Sequence, residues 1–203
     1  MSGVDDAVLY AVADGVATVT LNRPDSKNRL DAAGMAALHE AIERAGHDGN
    51  ARVVVLTGSG TTFCSGADMS AAVAGESGGF AGSGPTALVG VLTAMLDLPK
   101  PIIARVQGHV AGGGNGLVAA CDVAIAADNA QFSIAETRWG LMAGIIVPQL
   151  ADAIGARQLR RYALTGERFD AQEARRIGLV HEVVSLASLR SAGARVVDHL
   201  LQN

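Results

Sequence analysis

The sequence predicts a layered α/β protein of one domain, built as a right-handed spiral of strand, strand and helix units. Its 203 residues are 49% hydrophobic but only 3% aromatic, and 25 of them are glycine. The core must therefore be made of small aliphatic side chains that pack closely. A unit of strand, short turn, short strand and helix recurs at 52–96 and 102–120, and such recurrence is typical of a spiral.

The N-terminal third supports the α/β assignment element by element. Residues 8–21 read as a hairpin with its turn at Asp14-Gly15. Asp31 is placed to cap a helix that Gly46 ends, with apolar residues at spacings of three and four. The run 53–56 is continuously apolar and predicts a strand buried on both faces.

The rest of the chain continues the alternation of strands and helices. Residues 71–85 are nearly all Gly, Ala and Ser, which predicts a loop with little to bury. The further predicted elements are a helix at 86–96, a strand at 102–106, a helix at 117–120, strands at 123–126 and 131–134, helices from 147 with breaks at 155, 165–166 and 178, a short strand at 180–184 and a last helix at 186–201.

Charge and cysteine content exclude several classes of function. The net charge is −4 and the basic residues form no stripe, so no nucleic-acid partner is expected. The start of the chain is acidic and the apolar runs are too short to span a bilayer, which predicts a cytoplasmic protein without membrane association. Cys64 and Cys121 match neither a disulfide framework nor a zinc spacing, so both are expected to be buried and no metal site is predicted.

Three consecutive glycines, 112–114, stand between an apolar strand and a helix. Peptide N–H groups at such a helix start suit a negatively charged oxygen, although this segment taken alone favours the simpler explanation, close packing of the helix on the strand. Asn115-Gly116 excludes a P-loop, and the glycine spacing excludes a dinucleotide fingerprint. The first unit carries Ser65-Gly66-Ala67-Asp68 at the matching place, so two glycine-bearing turns could bring two N–H groups together.

Several spaced motifs together are similar to the crotonase family, the enoyl-CoA hydratases and isomerases, and the resemblance covers almost the whole chain. The matching segments, in the order of the family, are 21–24 with Asn28, 63–68, 106–108, 112–114, 120–122, 164–167, 171–174 and 178–180. The resemblance implies the crotonase-type fold: a right-handed spiral of ββα units with a helical C-terminal region.

The resemblance also implies a site and a substrate. The N–H groups of Ala67 and Gly113 would form an oxyanion hole for a thioester enolate, and Glu136 would carry the proton. The substrate would be an acyl-CoA thioester, so coenzyme A is part of the substrate and no separate cofactor is expected. The residues implied around it are Lys27, Arg29, Ser65, Gly66, Ala67, Asp68, Met69, Gly112, Gly113 and Gly116. Ile134, Trp139 and Met142 lie close to Glu136 in sequence and are expected to desolvate it.

One departure from the family pattern bears on the reaction. Hydratases of the family usually carry a second glutamate where this chain has Gly116, whereas one carboxylate is enough to shift a double bond. The amino-acid sequence around 112–122 nevertheless looks most like that of the bacterial branch of methylglutaconyl-CoA hydratases. Water addition is therefore the first predicted reaction. An isomerase that uses Glu136 alone and a non-catalytic acyl-CoA binder are the alternatives. Asn115 is a candidate for orienting a water.

Three further readings stay open at this point. Cys64 and His109 flank the expected site and could be drawn as a nucleophilic pair. Arg138 could meet an acidic acyl group, or pair locally. Chains of the family commonly continue past the helix at 186–201. The predicted division is therefore a spiral core at 1–185 and a shortened C-terminal helix at 186–203. The resemblance also implies a homo-trimer or hexamer.

Overall fold

The computed structural model describes residues 7–67 and 83–203, with the side chains of the second segment described from Thr86. Within this part the strands form two sheets. Six strands lie in the larger one in the order β1-β2-β3-β4-β6-β9, and three lie in the smaller one in the order β5-β7-β8.

The larger sheet is parallel except at one edge. β1 and β2 pair as an antiparallel hairpin, and β2, β3, β4, β6 and β9 then pair in parallel. The strands are β1 (Val8–Ala13), β2 (Val16–Leu21), β3 (Val53–Gly58), β4 (Ile102–Val106), β6 (Val123–Ala127) and β9 (Glu182–Val184). Asp14 and Gly15 both have positive φ in the hairpin turn, which is the geometry that an Asp-Gly pair favours.

The smaller sheet collects the second, shorter strand of each unit. β5 (His109–Ala111) and β7 (Gln131–Ser133) are parallel, and β8 (Arg168–Asp170) pairs antiparallel with β7. Single bridges between Cys64 and Val110 and between Leu30 and Ala67 extend this layer beyond β5. The short strands of successive units therefore lie side by side.

The helices follow the short strands and cover the sheets. They are α1 (Ala32–His47), α2 (Ser83–Leu96), α3 (Gly113–Ala119), α4 (Val147–Thr165), α5 (Ala171–Ile177) and α6 (Leu189–Gln202). α4 contains a kink at Gly155, which has positive φ. None of the helices in the described part is both long enough and apolar enough to cross a membrane.

β3 shows why a continuous apolar run predicts a strand buried on both sides. Val54 and Leu56 belong to the main core, while Val53 and Val55 face the other way and pack with Ile103 and Val197 of α6. Alternate residues of a strand point to opposite faces, so a strand between two cores must be apolar throughout.

The recurrence predicted at 52–96 and 102–120 is confirmed and extends to a third unit, in which β6 and β7 lead to α4. Element boundaries differ in places. The helix predicted at 117–120 begins four residues earlier, at Gly113. The short strand expected in the second unit is β5, whereas the short strand β8 was not predicted. The helix predicted from 86 begins at Ser83, so the predicted loop is wrong at 83–85. The remainder of that loop lies outside the described residues.

Candidate active site

The first glycine-bearing turn, 64–67, is held between two neighbouring segments. On one side the Ser65 N–H donates to Lys27 O at 3.0 Å, and the Leu30 N–H donates to Gly66 O at 2.8 Å. On the other side the Ala111 N–H donates to Cys64 O at 3.0 Å. These backbone bonds fix the peptide that leads into Ala67 from both sides.

The second turn lies where β5 passes into α3. The Gly112 N–H donates to Ser133 O at 3.1 Å, and α3 begins at the next residue, Gly113. The first N–H groups of a helix have no acceptor within the helix and carry its positive end. The Gly113 N–H is therefore oriented by the helix start.

The two turns are in contact with each other. A Cβ added to Gly66 would lie 2.6 Å from Ala111 O and 3.5 Å from the Gly112 Cα, and Gly66 has a φ of +87°. Only glycine permits both this φ and this close approach. Leu30, the bridge partner of Ala67, also lies 3.9 Å from the Cβ position of Gly113. The structure thus brings the predicted pair of turns together.

Glu136 reaches this junction from the third unit. It opens a 3₁₀ turn (Glu136–Trp139) three residues after the end of β7, and its Oε1 lies 3.0 Å from the Cβ position of Gly112. Burial raises the pKa of the Glu136 carboxyl above its ordinary value. Its Oε2 is buried, and no hydrogen-bond partner for it is found in the described part of the chain. A carboxyl group thus lies against the residue that precedes the Gly113 amide.

The side chains expected to desolvate Glu136 differ in their own burial. Ile134 is fully buried beside it in sequence, but Trp139 is 57% exposed and Met142 is 78% exposed. The two larger side chains present most of their surface to solvent because they follow Glu136 on the 3₁₀ turn and the segment after it, outside the sheet layers.

The space next to Gly116 is filled by an apolar side chain. A Cβ at Gly116 would lie 2.3 Å from Ile146 Cγ2 and 3.7 Å from Leu92 Cδ1. Ile146 is buried in the 3₁₀ turn Gly144–Ile146, which packs on α3. A glutamate at position 116 could not be accommodated beside this isoleucine.

The proposed nucleophilic pair is not supported by the surroundings of Cys64. Its side chain is completely buried and burial raises the pKa of the thiol to about 12, so it stays protonated at neutral pH. Its Sγ accepts the Gly66 N–H at 3.4 Å. Burial, followed by the charges of Arg168 and Lys27, lowers the pKa of His109.

The remaining polar candidates lie in different surroundings. The Arg138 guanidinium donates to Gly166 O at 2.6 Å, which is local pairing. Lys27 and Arg29 are exposed on the segment whose backbone is bonded to the first turn. Asp68 and Met69 lie outside the described residues. Among the residues that are described, no three His, Cys, Asp or Glu side chains are grouped as metal ligands would be.

Ile146 was missed by sequence reasoning. It lies thirty positions after Gly116, in a turn without periodicity, and the only local signal is the glycine inside a buried helix, which indicates that something approaches closely. Ser133, which accepts the Gly112 N–H, was predicted only as part of a strand. Its role at the junction depends on the register of β5 with β7.

Both the sequence and the fold of this chain are similar to those of known proteins. A model of the family described as enoyl-CoA hydratase/isomerase matches residues 11–203. A hydroxycinnamoyl-CoA hydratase-lyase of Pseudomonas fluorescens is 34% identical over 96% of this chain and 72% of its own length. An enoyl-CoA hydratase of Shewanella pealeana superposes with a TM-score of 0.91 at 31% identity, over 97% of this chain and 74% of that one. One from Mycobacterium smegmatis gives 0.90 at 34% identity, over 95% and 76%. The predicted crotonase-type fold is confirmed.

Proposed function

This chain belongs to the enoyl-CoA hydratase/isomerase family, and we propose that it adds water to a 2-enoyl-CoA thioester. The observation that carries the proposal is the position of the Glu136 carboxyl, 3.0 Å from the Cβ position of Gly112 at the junction of the two glycine turns. A proton carrier and two peptide turns at one place are what enolate chemistry requires.

The Ala67 and Gly113 N–H groups are the proposed donors to the thioester oxygen. Charge develops on this oxygen as the enolate forms, so donors fixed in advance stabilise the transition state more than the bound substrate. In other enzymes the loss of one such donor costs about 3–4 kcal/mol. The backbone bonds of Leu30 and Ala111 to the first turn support the required rigidity.

Glu136 is the proposed carrier of the proton. As a carboxylate it takes a proton from water while the hydroxide adds to C3 and the electron pair moves to the thioester oxygen. As a carboxylic acid it then returns the proton to C2, and the carboxylate is restored. The carboxyl is half-buried, and its raised pKa favours both roles.

The coenzyme A part of the substrate is proposed to lie over the first turn. Lys27 and Arg29 would meet its phosphates, with Ser65 and Gly66 beside them. Support comes from the bond between Ser65 N and Lys27 O, which joins the basic segment to the turn. The Lys27 charge also reaches His109 on β5.

A second candidate function is the shift of a double bond from C3 to C2. It is favoured by the packing at Gly116, where Ile146 leaves no room for a second carboxylate. Glu136 alone would move one proton from C2 to C4. We keep water addition first because relatives at 31–34% identity are described as hydratases or a hydratase-lyase.

Two spectrophotometric assays separate these functions. With a panel of 2-enoyl-CoA thioesters, water addition removes the absorbance of the conjugated double bond. With 3-enoyl-CoA thioesters, isomerisation creates it. We expect reaction in the first assay, and reaction of the 3-enoyl substrates alone would replace hydratase by isomerase. Binding of the thioesters without turnover in either assay would contradict both and favour a binding protein.

A substitution of Glu136 tests the proton carrier. Glu136→Gln is expected to lower kcat at least about 10²-fold because the amide cannot carry a proton, while the thioester Kd stays similar. Glu40→Gln is the matched control, since it makes the same change at an exposed position of α1. Equal turnover by Glu136→Gln and wild type would remove Glu136 from the mechanism.

The acyl chain, the assembly and the compartment are proposed from the resemblance alone. The branch similar to methylglutaconyl-CoA hydratases suggests a short branched acyl group, and the family suggests a homo-trimer or hexamer in the cytoplasm. The thioester panel tests the first. Light scattering on the eluted protein tests the second, and a mass of one or two chains would contradict it.

A further inference from the structure

The feature that the proposed function does not use is a buried amide on the second turn. Asn115 is 0% exposed, in the first turn of α3 and flanked by Gly114 and Gly116. A buried polar side chain costs stability unless its hydrogen bonds are made, so its contacts indicate why it is there.

The amide nitrogen of Asn115 joins two backbone segments. Nδ2 donates to Ser133 O at 2.8 Å and to Gly112 O at 3.3 Å. The opposite orientation of the amide would set Oδ1 against two carbonyl acceptors, so the chemistry fixes which end faces them. This nitrogen is therefore engaged with the protein and is not available to orient a water.

The two carbonyls belong to the segments that carry the site. Ser133 ends β7, three residues before Glu136, and Gly112 immediately precedes Gly113. The register of β5 with β7 ends at Ala111 and Ser133. Beyond that pair, the bond from Gly112 N to Ser133 O and the two bonds of Asn115 join the strand ends.

The amide oxygen of Asn115 differs from the amide nitrogen in its contacts. Its Oδ1 is buried, and no partner for it is found among the described residues. The side-chain hydrogen bonds that Asn115 makes in the described part are thus those that its amide nitrogen donates.

We propose that Asn115 is a positioning residue that holds the Glu136 segment at a fixed distance from the Gly113 amide. Its two hydrogen bonds, to Gly112 O and to Ser133 O, set how Glu136 and the Gly113 N–H are placed relative to the same substrate. The catalytic part of this inference rests on the proposed function, whereas the mechanical link between the segments does not.

The chain contains a matched control for this role. Gln107 is also buried, and its Nε2 donates to two backbone carbonyls, Gly58 O at 2.6 Å and Gly60 O at 3.3 Å. Its Oε1 likewise has no partner in the described part. Gln107 precedes β5, at the end opposite to Gly112. Its loss should affect folding without changing the junction at Glu136.

The experiment compares Asn115→Ala with Gln107→Ala. Each carbonyl that Asn115 contacts keeps another donor, so Asn115→Ala is expected to fold; Asn115→Ser, which leaves a smaller void, is the second variant. We expect hydrogen exchange at the Gly112 N–H to speed up at least tenfold in the Asn115 variants and to stay unchanged in Gln107→Ala. We expect kcat to fall up to about 10²-fold in the Asn115 variants with little change in KM, since displacement of about 1 Å has that effect.

Two results would overturn the proposal. One is unchanged Gly112 exchange in a folded Asn115 variant, which would deny the mechanical link. The other is a loss of kcat that Gln107→Ala reproduces at equal loss of Tm, which would reduce Asn115 to a stabilising residue. Wild-type protein without turnover would instead contradict the proposed function, and the exchange measurement would still decide whether Asn115 joins the segments.

Discussion

At the residue scale, Glu136 combines a raised pKa with a buried carboxyl oxygen that has no hydrogen-bond partner in the described part. Folding therefore favours the protonated form. The stability of the wild type relative to a neutral variant is therefore highest below the ordinary glutamate pKa of about 4.3. This advantage is lost as the pH rises through the raised pKa of Glu136 in the folded protein.

This sign gives a stability prediction for Glu136→Gln. The amide stays neutral, so its Tm relative to wild type should be more favourable at about pH 8 than at about pH 4, because only the wild type must ionise a buried group on that path. Thermal melts at both pH values measure the difference. A trend of the opposite sign for Glu136→Gln would contradict the burial of an ionisable carboxyl.

Cys64 gives a second prediction at this scale. Because its thiol is buried with a pKa raised to about 12, the folded protein should react with a thiol reagent only as fast as it unfolds. The second cysteine, Cys121, is buried too. Fast reaction of one thiol in the folded state, or loss of turnover in Cys64→Ala with an unchanged Tm, would return Cys64 to the list of catalytic candidates.

At the element scale, the contact of α3 with Ile146 decides what can stand at position 116. Gly116→Ala should destabilise the protein by about 1–3 kcal/mol, since the added methyl group would lie 2.3 Å from Ile146 Cγ2. Gly90→Ala is the control. This glycine lies within α2, a Cβ added to it would lie 3.6 Å from His39 Cδ2, and alanine there should stabilise the helix by up to about 1 kcal/mol.

The double variant Gly116→Ala/Ile146→Ala completes the cycle. If the two side chains compete for one space, the double variant should be more stable than the sum of the single changes predicts, by about 1 kcal/mol or more. Urea unfolding of the four proteins measures this coupling. Strict additivity would mean that α3 and the turn Gly144–Ile146 do not share that space.

Local sequence patterns predicted some of these elements and not others. The hairpin at 8–21 and the strand at 53–56 were predictable because an Asp-Gly turn and a run of branched apolar residues act within a few positions. β5 was expected only from the recurrence of the unit, without bounds, and β8 was not predicted, since three-residue strands have no measurable period and form through their pairing with β7. The contact at Gly116 was hidden for a related reason, because it joins residues thirty positions apart.

At the scale of the whole molecule, the spiral explains why distant residues meet. Ala67, Gly113 and Glu136 each follow the short strand or bridge of a successive unit. Because those short strands pair side by side, the residues after them come to the same edge of the smaller sheet. The sequence could predict the repeat, but the distances across it depend on register and on links such as that of Asn115.

In the mechanism proposed above, the N–H groups of Ala67 and Gly113 polarise one thioester carbonyl beside Glu136. Proline is the one substitution that removes a backbone N–H, and it also fixes φ, so the donors are better tested by the infrared carbonyl band of a ¹³C-labelled enoyl-CoA bound to Glu136→Gln, which turns it over slowly. We predict that the band of the bound thioester lies at lower wavenumber than that of the same thioester in water. A band at the same or higher wavenumber would contradict the account.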